Sequence, residues 1–209
     1  KNILFEGQRS LNLIIPKDKL LEIEHAAYLI ARQLGLLVPD SGFMLVRQNR
    51  HNMGLYFWME QWNKTQLERR QLPDGEIFGL DDVFMDKMLL KEMPTKERTT
   101  FNPASYKTFI HKNDEIALLA AERWKSFLEL LATKDSILIN NEIESYLDVD
   151  KFAKWLSIIF LFGDSHGTSE DNLKWFFNSM TGKFEPILYD VSVYGLSRYG
   201  KSPKKFDLG

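Results

Sequence analysis

The sequence predicts an α+β fold in two lobes, a small β-rich lobe over residues 1–63 and a mainly helical lobe over residues 64–209. Three observations carry that prediction. Paired runs of aromatic and β-branched residues around short polar turns crowd the first third of the chain. Apolar residues at helical spacing dominate from about residue 113. A last pair of strand-like runs follows the most apolar helix. A chain of 209 residues, 44% hydrophobic and 27% charged, is long enough to bury such a core.

Taken in order, "NILF" and "RSLNLII" (residues 2–5 and 9–15) are β-rich runs split by Gly7, and they predict an N-terminal hairpin. Asp18 opens an amphipathic helix with Leu20, Leu21, Ile23, Ala27, Ile30 and Leu34 on its apolar face, and Gly35 ends it as a C-cap. "GFMLVRQ" and "GLYFWME" flank "NRHN" and predict a second hairpin. Residues 64–112, with Pro73, Pro94, Pro103 and many charges, read as linker-like with one short helix near 81–92. Asn113 or Asp114 then caps a helix running to about Thr133, with Ile116, Leu119, Ala120, Trp124, Phe127, Leu128 and Leu131 on one side. Asp148 or Asp150 caps the "KFAKWLSIIFLFG" helix, whose far end is apolar all round and is expected in the middle of its domain. Residues 174–178 and 183–188 predict a third hairpin over "SMTG", and the Trp155, Trp175, Phe176 and Phe177 cluster is expected in the core.

Charge and composition exclude several function classes. A net charge of −2 gives no field for polyanions, so nucleic acid is not an expected partner; only "RYGKSPKK" (residues 198–205) is locally basic, and it reads as a solvated tail. The lack of cysteine excludes disulfides, thiolate metal sites and cysteine nucleophiles, yet suits either redox compartment, so localisation stays open. The longest apolar run, "WLSIIFLF", is too short for a membrane span, and four scattered histidines show no zinc spacing. The chain opens at Lys1 without methionine or a signal-peptide pattern, which reads as a piece of a longer protein.

The stretch that carries chemistry is "FGDSHGTSEDNLKWFFNSMTGKFEPILYD", residues 162–190. An apolar helix delivers a polar loop with an aspartate and an asparagine, a hairpin follows, and another aspartate sits at its exit. A protein kinase uses that order, because one carboxylate must meet the attacking hydroxyl while an Asn and a second carboxylate hold the metal that neutralises phosphate. On that pattern Asp164 orients or deprotonates the acceptor, and Asn172 and Asp190 bind Mg²⁺. Asp164 and Asn172 stand eight positions apart where the kinase loop has five, so Glu170 or Asp171 could carry a role one residue over. No G-x-G-x-x-G loop occurs. Each residue also has an ordinary explanation: Asp164 as a turn former, His166 as a loop hydrogen-bonder, Glu170 and Asp171 as a solvated face.

"NMGLYFWMEQWNK", "YLDVDKFAKWLSIIFLFGDSHGTSEDNLKWFFN" and "GKFEPILYDVSVYG" resemble the CotH-type spore-coat kinase family, an atypical branch of the protein-kinase-like fold. The resemblance runs from about Leu11 to Gly195 and is sharpest in those three segments. It implies a small β-rich N-lobe, a helical C-lobe with a β-hairpin at the active site, and ATP- and Mg²⁺-dependent phosphorylation of a protein in a spore-coat or secreted setting. Asp164 falls on the family's loop aspartate, Asn172 on its loop asparagine and Asp190 on the first aspartate of the exit motif. Ser192 stands where a second aspartate is usual, and Tyr189 replaces a tryptophan. Glu60 and Gln61 match an acid–amide pair, with Glu60 expected to position nucleotide or a lobe cation; its alternative is an exposed strand end. Arg9 is the expected phosphate-binding cation, with Lys17 as its competitor and a strand-surface charge as its alternative. Two other functions fit the same residues: a degenerate member serving as a binding or structural module of the spore or cell surface, and a metal-dependent phosphohydrolase.

Overall fold

In the computed structural model, which describes residues 7–8, 10–16, 21–80, 106–110, 115–164, 167–168 and 172–191, two antiparallel sheets meet with helices packed around them. The first sheet has the order β1-β3-β2, from β1 (Leu11–Ile14), β2 (Ser41–Gln48) and β3 (His51–Glu60). The expected β2–β3 hairpin is present, and its two-residue loop holds Asn49 and Arg50 at φ 49° and 69°. Positive φ at both positions is the type I′ pattern, whose twist matches that of the flanking strands. β1 runs beside the distant β3, from Leu11 opposite Glu60 to Ile14 opposite Phe57, and residues 2–5, its expected hairpin partner, lie outside the described residues.

α1 (Leu21–Gln33) buries Leu21, Glu24, Ala27, Tyr28 and Ala31, while Ile30 and Leu34 of the expected apolar face are exposed. The face is turned because Ala27, Tyr28 and Ala31 pack into one core cluster with Phe57 and Met59 of β3, and because Tyr28 gives the buried Glu24 a hydrogen bond. Gly35 ends the helix at φ 79°, with the Leu36 N–H returning to the Ala31 carbonyl at 3.0 Å, as a Schellman cap requires.

The linker reading of residues 64–112 is corrected. α2 (Lys64–Arg69), N-capped by Asn63 through the Gln66 N–H at 3.2 Å, leads into β4 (Gly75–Leu80), and β5 (Tyr106–Thr108) follows. All six residues of β4 are buried, so "GEIFGL" lacks the alternation that marks a half-buried strand. A Cβ on Gly75 would lie 2.1 Å from the Phe177 carbonyl oxygen, so only glycine fits where β4 meets its neighbour. The helix expected at 81–92 lies outside the described residues.

The second sheet has the order β5-β4-β6-β7, closed by the expected hairpin of β6 (Lys174–Asn178) and β7 (Lys183–Ile187). α3 (Glu115–Ala132) packs Ala120, Trp124, Phe127 and Leu128 against Phe78, Trp175, Phe177 and Phe184. Trp124 stacks on Phe78 with ring centroids 5.1 Å apart. Trp155, Trp175, Phe176 and Phe177 are all core residues, as expected.

α4 (Ser136–Tyr146), capped by Asp135, was not anticipated, and α5 (Val149–Phe162) is capped by Asp148. α5 is not enclosed as expected: Trp155, Ile158 and Ile159 are buried, whereas Phe160 and Leu161 are 59% and 70% exposed. Only one side of the helix meets α1 and β7, so the outer apolar residues face solvent. No helix among the described residues is long and apolar enough to cross a membrane.

Candidate functional site

The end of α5 places Asp164. Gly163 adopts the left-handed conformation at φ 59°, the Asp164 N–H bonds the Ile159 carbonyl at 3.0 Å, and the chain turns inward. Asp164 is thereby 3% exposed, and its carboxylate accepts the Gly167 N–H at 3.0 Å. A Cβ on Gly167 would come 2.5 Å from that carboxylate, so the glycine permits the close approach.

Asn172 is buried just before β6 and lines an open pocket of about 280 Å³ where the two sheets meet. Trp62, Phe109 and Tyr189 form its aromatic walls, and Lys107 and Lys174 supply two cations. Lys174 is itself buried, with its ammonium 5.3 Å from the centre of the Tyr189 ring. Asn12 of β1 also lines the pocket, and the Gln61 side-chain amide donates to its oxygen. Flat aromatic faces beside two ammonium groups and two amides make a cavity suited to an anionic ligand with a planar ring.

Asp190 follows directly on Tyr189 and sits at φ 51°, left-handed backbone that costs an L residue about 1 kcal/mol and that Asp tolerates better than most. Its neighbours Leu188 and Val191 are fully buried, and its N–H donates to the Tyr28 hydroxyl at 3.1 Å. Strained backbone of this kind collects at functional sites.

Glu60 is 2% exposed and lies between two guanidinium groups, Arg69 at 2.5 Å and Arg70 at 2.8 Å. The Asp40 N–H adds a third bond to its carboxylate at 3.1 Å, and the Asp40 carboxylate is itself paired with Arg32, Arg69 and Arg70. Burial works against ionisation of Asp40, but Arg70, Arg69 and Arg32 outweigh it and hold its carboxyl below the ordinary value of 3.8. A depressed pKa contributes stability that is present above the unfolded value and lost as pH falls through the folded one. Asp40→Asn is therefore expected to destabilise the protein by about 2 kcal/mol at pH 7, the scale of hydrogen bonds to charged groups. The gap from the wild type should begin to narrow below about pH 4 and close as pH falls through the lower folded value. Urea unfolding of both proteins at pH 7 and pH 3 measures it.

Of the residues expected to form the site, Asn172 lines the pocket and Asp190 adjoins it through Tyr189, whereas Asp164 and Glu60 are not among its lining residues. Arg9, Lys17, His166, Glu170, Asp171 and Ser192 lie outside the described residues. No group of three or more His, Asp or Glu poised to hold a metal occurs among the described residues. Sequence reasoning missed Lys107 and Lys174. The second had a signal: a lone lysine opening the aromatic strand "KWFFN" two positions after Asn172.

Compared with known proteins, residues 1–194 match a family model described as CotH kinase protein. The chain is also similar to the inner spore coat protein H of Bacillus subtilis (strain 168), at 26% identity over 199 residues. That match takes in 94% of this chain and 53% of the relative, so the chain spans about half the length of the curated protein it matches.

Proposed function

The chain belongs to the CotH kinase protein family, and from that premise we propose that it transfers the γ-phosphoryl group of ATP, with Mg²⁺, to a hydroxyl of a protein associated with the spore coat. The observation that carries the reading is the pocket itself: Asn172 and the buried Lys174 share it with Lys107 and three aromatic rings. The aromatic walls suit the adenine ring, and the two ammonium groups suit the phosphate oxygens.

The side-chain oxygens of Asn172 and Asp190 are hard donors of the kind Mg²⁺ takes, and these two residues would hold it. Bound there, the metal would neutralise charge on the phosphate oxygens. Lys174 and Lys107 bind and orient the phosphates. Asp164 accepts the proton of the acceptor hydroxyl as that oxygen bonds to the γ-phosphorus; the bond from phosphorus to the bridging oxygen breaks, and ADP leaves. Glu60 acts at a distance from this chemistry: with Arg69 and Arg70 it ties the end of β3 to α2, and β3 leads directly into Gln61 and Trp62.

Ser192, in place of the second aspartate of the exit motif, favours a second reading, a module that binds Mg-ATP without transferring phosphate. Calorimetric titration tests what both readings share. ATP is expected to bind in Mg²⁺ and far more weakly in EDTA. Lys174→Met is expected to lower the affinity at least about tenfold, the loss of one charge-assisted hydrogen bond. Equal affinity with and without metal would contradict the proposal.

A further inference from the structure

We propose that Tyr28 is a positioning residue for Asp190, a link by which helix α1 sets the backbone that carries the metal-binding carboxylate; the metal part of this inference rests on the function proposed above. Tyr28 is 1% exposed, and Glu24, one helical turn earlier, is 4% exposed. The Tyr28 hydroxyl donates to the Glu24 carboxylate at 2.5 Å and accepts the Asp190 N–H at 3.1 Å, a contact between residues 162 positions apart. A phenol hydroxyl has one proton to give, and its short contact with the Glu24 carboxylate takes it. With that single proton committed to Glu24, an oxygen lone pair is left to face Asp190. An ionised acceptor polarises the O–H bond and makes the oxygen a better acceptor in turn.

The residue so held is one of few non-glycine residues with left-handed backbone among those described, and it directly follows a residue that lines the pocket. Such a conformation persists where its surroundings over-determine it. Here the fixing elements are the buried side chains of Leu188 and Val191 and the Tyr28 hydroxyl. α1 packs in the same core cluster as Trp155, Ile158 and Ile159 of α5, the helix whose cap, Gly163, leads into Asp164. A displacement of α1 would therefore reach Asp190 by a hydrogen bond and Asp164 by packing.

The test is Tyr28→Phe, which keeps the ring and removes the bridge, read in two independent ways on the same protein. Amide hydrogen exchange at Asp190 is expected to accelerate about fivefold, the scale of one net hydrogen bond, with exchange across the rest of α1 and β3 little changed. The Mg²⁺ concentration that half-saturates ATP binding is expected to rise by a similar factor. Should Tyr28→Phe fail to fold, Glu24→Gln serves: it keeps an acceptor for the hydroxyl but removes its charge, and a smaller change in the same direction is expected in both readouts. Unchanged exchange at Asp190, or a rise spread equally over α1 and β3, would overturn the link. Faster exchange at Asp190 with an unaltered Mg²⁺ requirement would overturn its bearing on metal. Metal-independent ATP binding by the wild type would overturn the underlying functional reading, and with it the metal role of Asp190, whatever the amide does, so the two failures are distinguishable.

Discussion

Replacing Asp164 by asparagine is expected to lower phosphoryl transfer by about 10²–10⁴-fold, the usual worth of a positioned general base, while Mg-ATP affinity stays nearly unchanged. The substitution isolates the chemistry because asparagine retains an oxygen for the Gly167 N–H, the contact that fixes this side chain at the end of α5. The Schellman turn at Gly163 is formed by backbone and does not depend on the carboxylate. What is lost is the group able to take a proton. Labelled transfer from ATP, measured beside ATP titration, separates the two steps, and a variant that transfers as fast as the wild type would remove Asp164 from the mechanism.

Asp190→Asn is expected to damage a different step. Its affinity for Mg-ATP should fall towards the value seen in EDTA, by at least about tenfold, since even partners outside a metal's coordination shell are typically worth 10–100-fold. Transfer should be lost with it. Asparagine is the informative replacement here because it tolerates left-handed backbone as aspartate does and keeps the N–H that reaches Tyr28, so the charge is removed and the chain path is kept. ATP titration in Mg²⁺ and in EDTA measures the effect, and unaltered metal-dependent affinity would show that Asp190 binds no metal.

The parts of the fold that could be read in the sequence are those with a strong local pattern, strand-forming runs paired across a short turn or an apolar stripe at helical spacing. β2 and β3 announced themselves by aromatic and β-branched runs around an Asn-rich turn, β6 and β7 likewise, and α3 by its apolar stripe. α4 escaped because none of its residues is fully buried: Ile143 and Tyr146 only flank the core, and the exposed Ile137 and Leu138 blur the apolar stripe. β4 escaped because "GEIFGL" holds two glycines and an acid, and its partners β5 and β6 are not joined to it by a short turn. The faces of α1 and α5 were misjudged because hydrophobicity alone does not say that Glu24 goes inward or that Phe160 and Leu161 stay outside.

The candidate site divides in the same way. The hairpin that separates Asn172 from Asp190 was legible, since loop, strand, turn and strand are local in sequence. The pocket was not, because Asn12, Trp62, Lys107 and Lys174 come from four separate parts of the chain and meet only when the sheets do. Glu60 was singled out for a polar role, yet the arginines that hold it lie in α2, inside the region that read as a linker. The bond from Tyr28 to Asp190 has no sequence signature at all.

The central claim, that this chain moves phosphate from ATP to a protein hydroxyl, is tested most directly by incubating it with γ-labelled ATP and Mg²⁺, following both autophosphorylation and a peptide pool containing Ser, Thr and Tyr. The account predicts labelled protein or peptide that is absent in EDTA and strongly reduced in Asp164→Asn. ATP consumed to free phosphate with no labelled acceptor, or no label despite intact metal-dependent ATP binding, would contradict it.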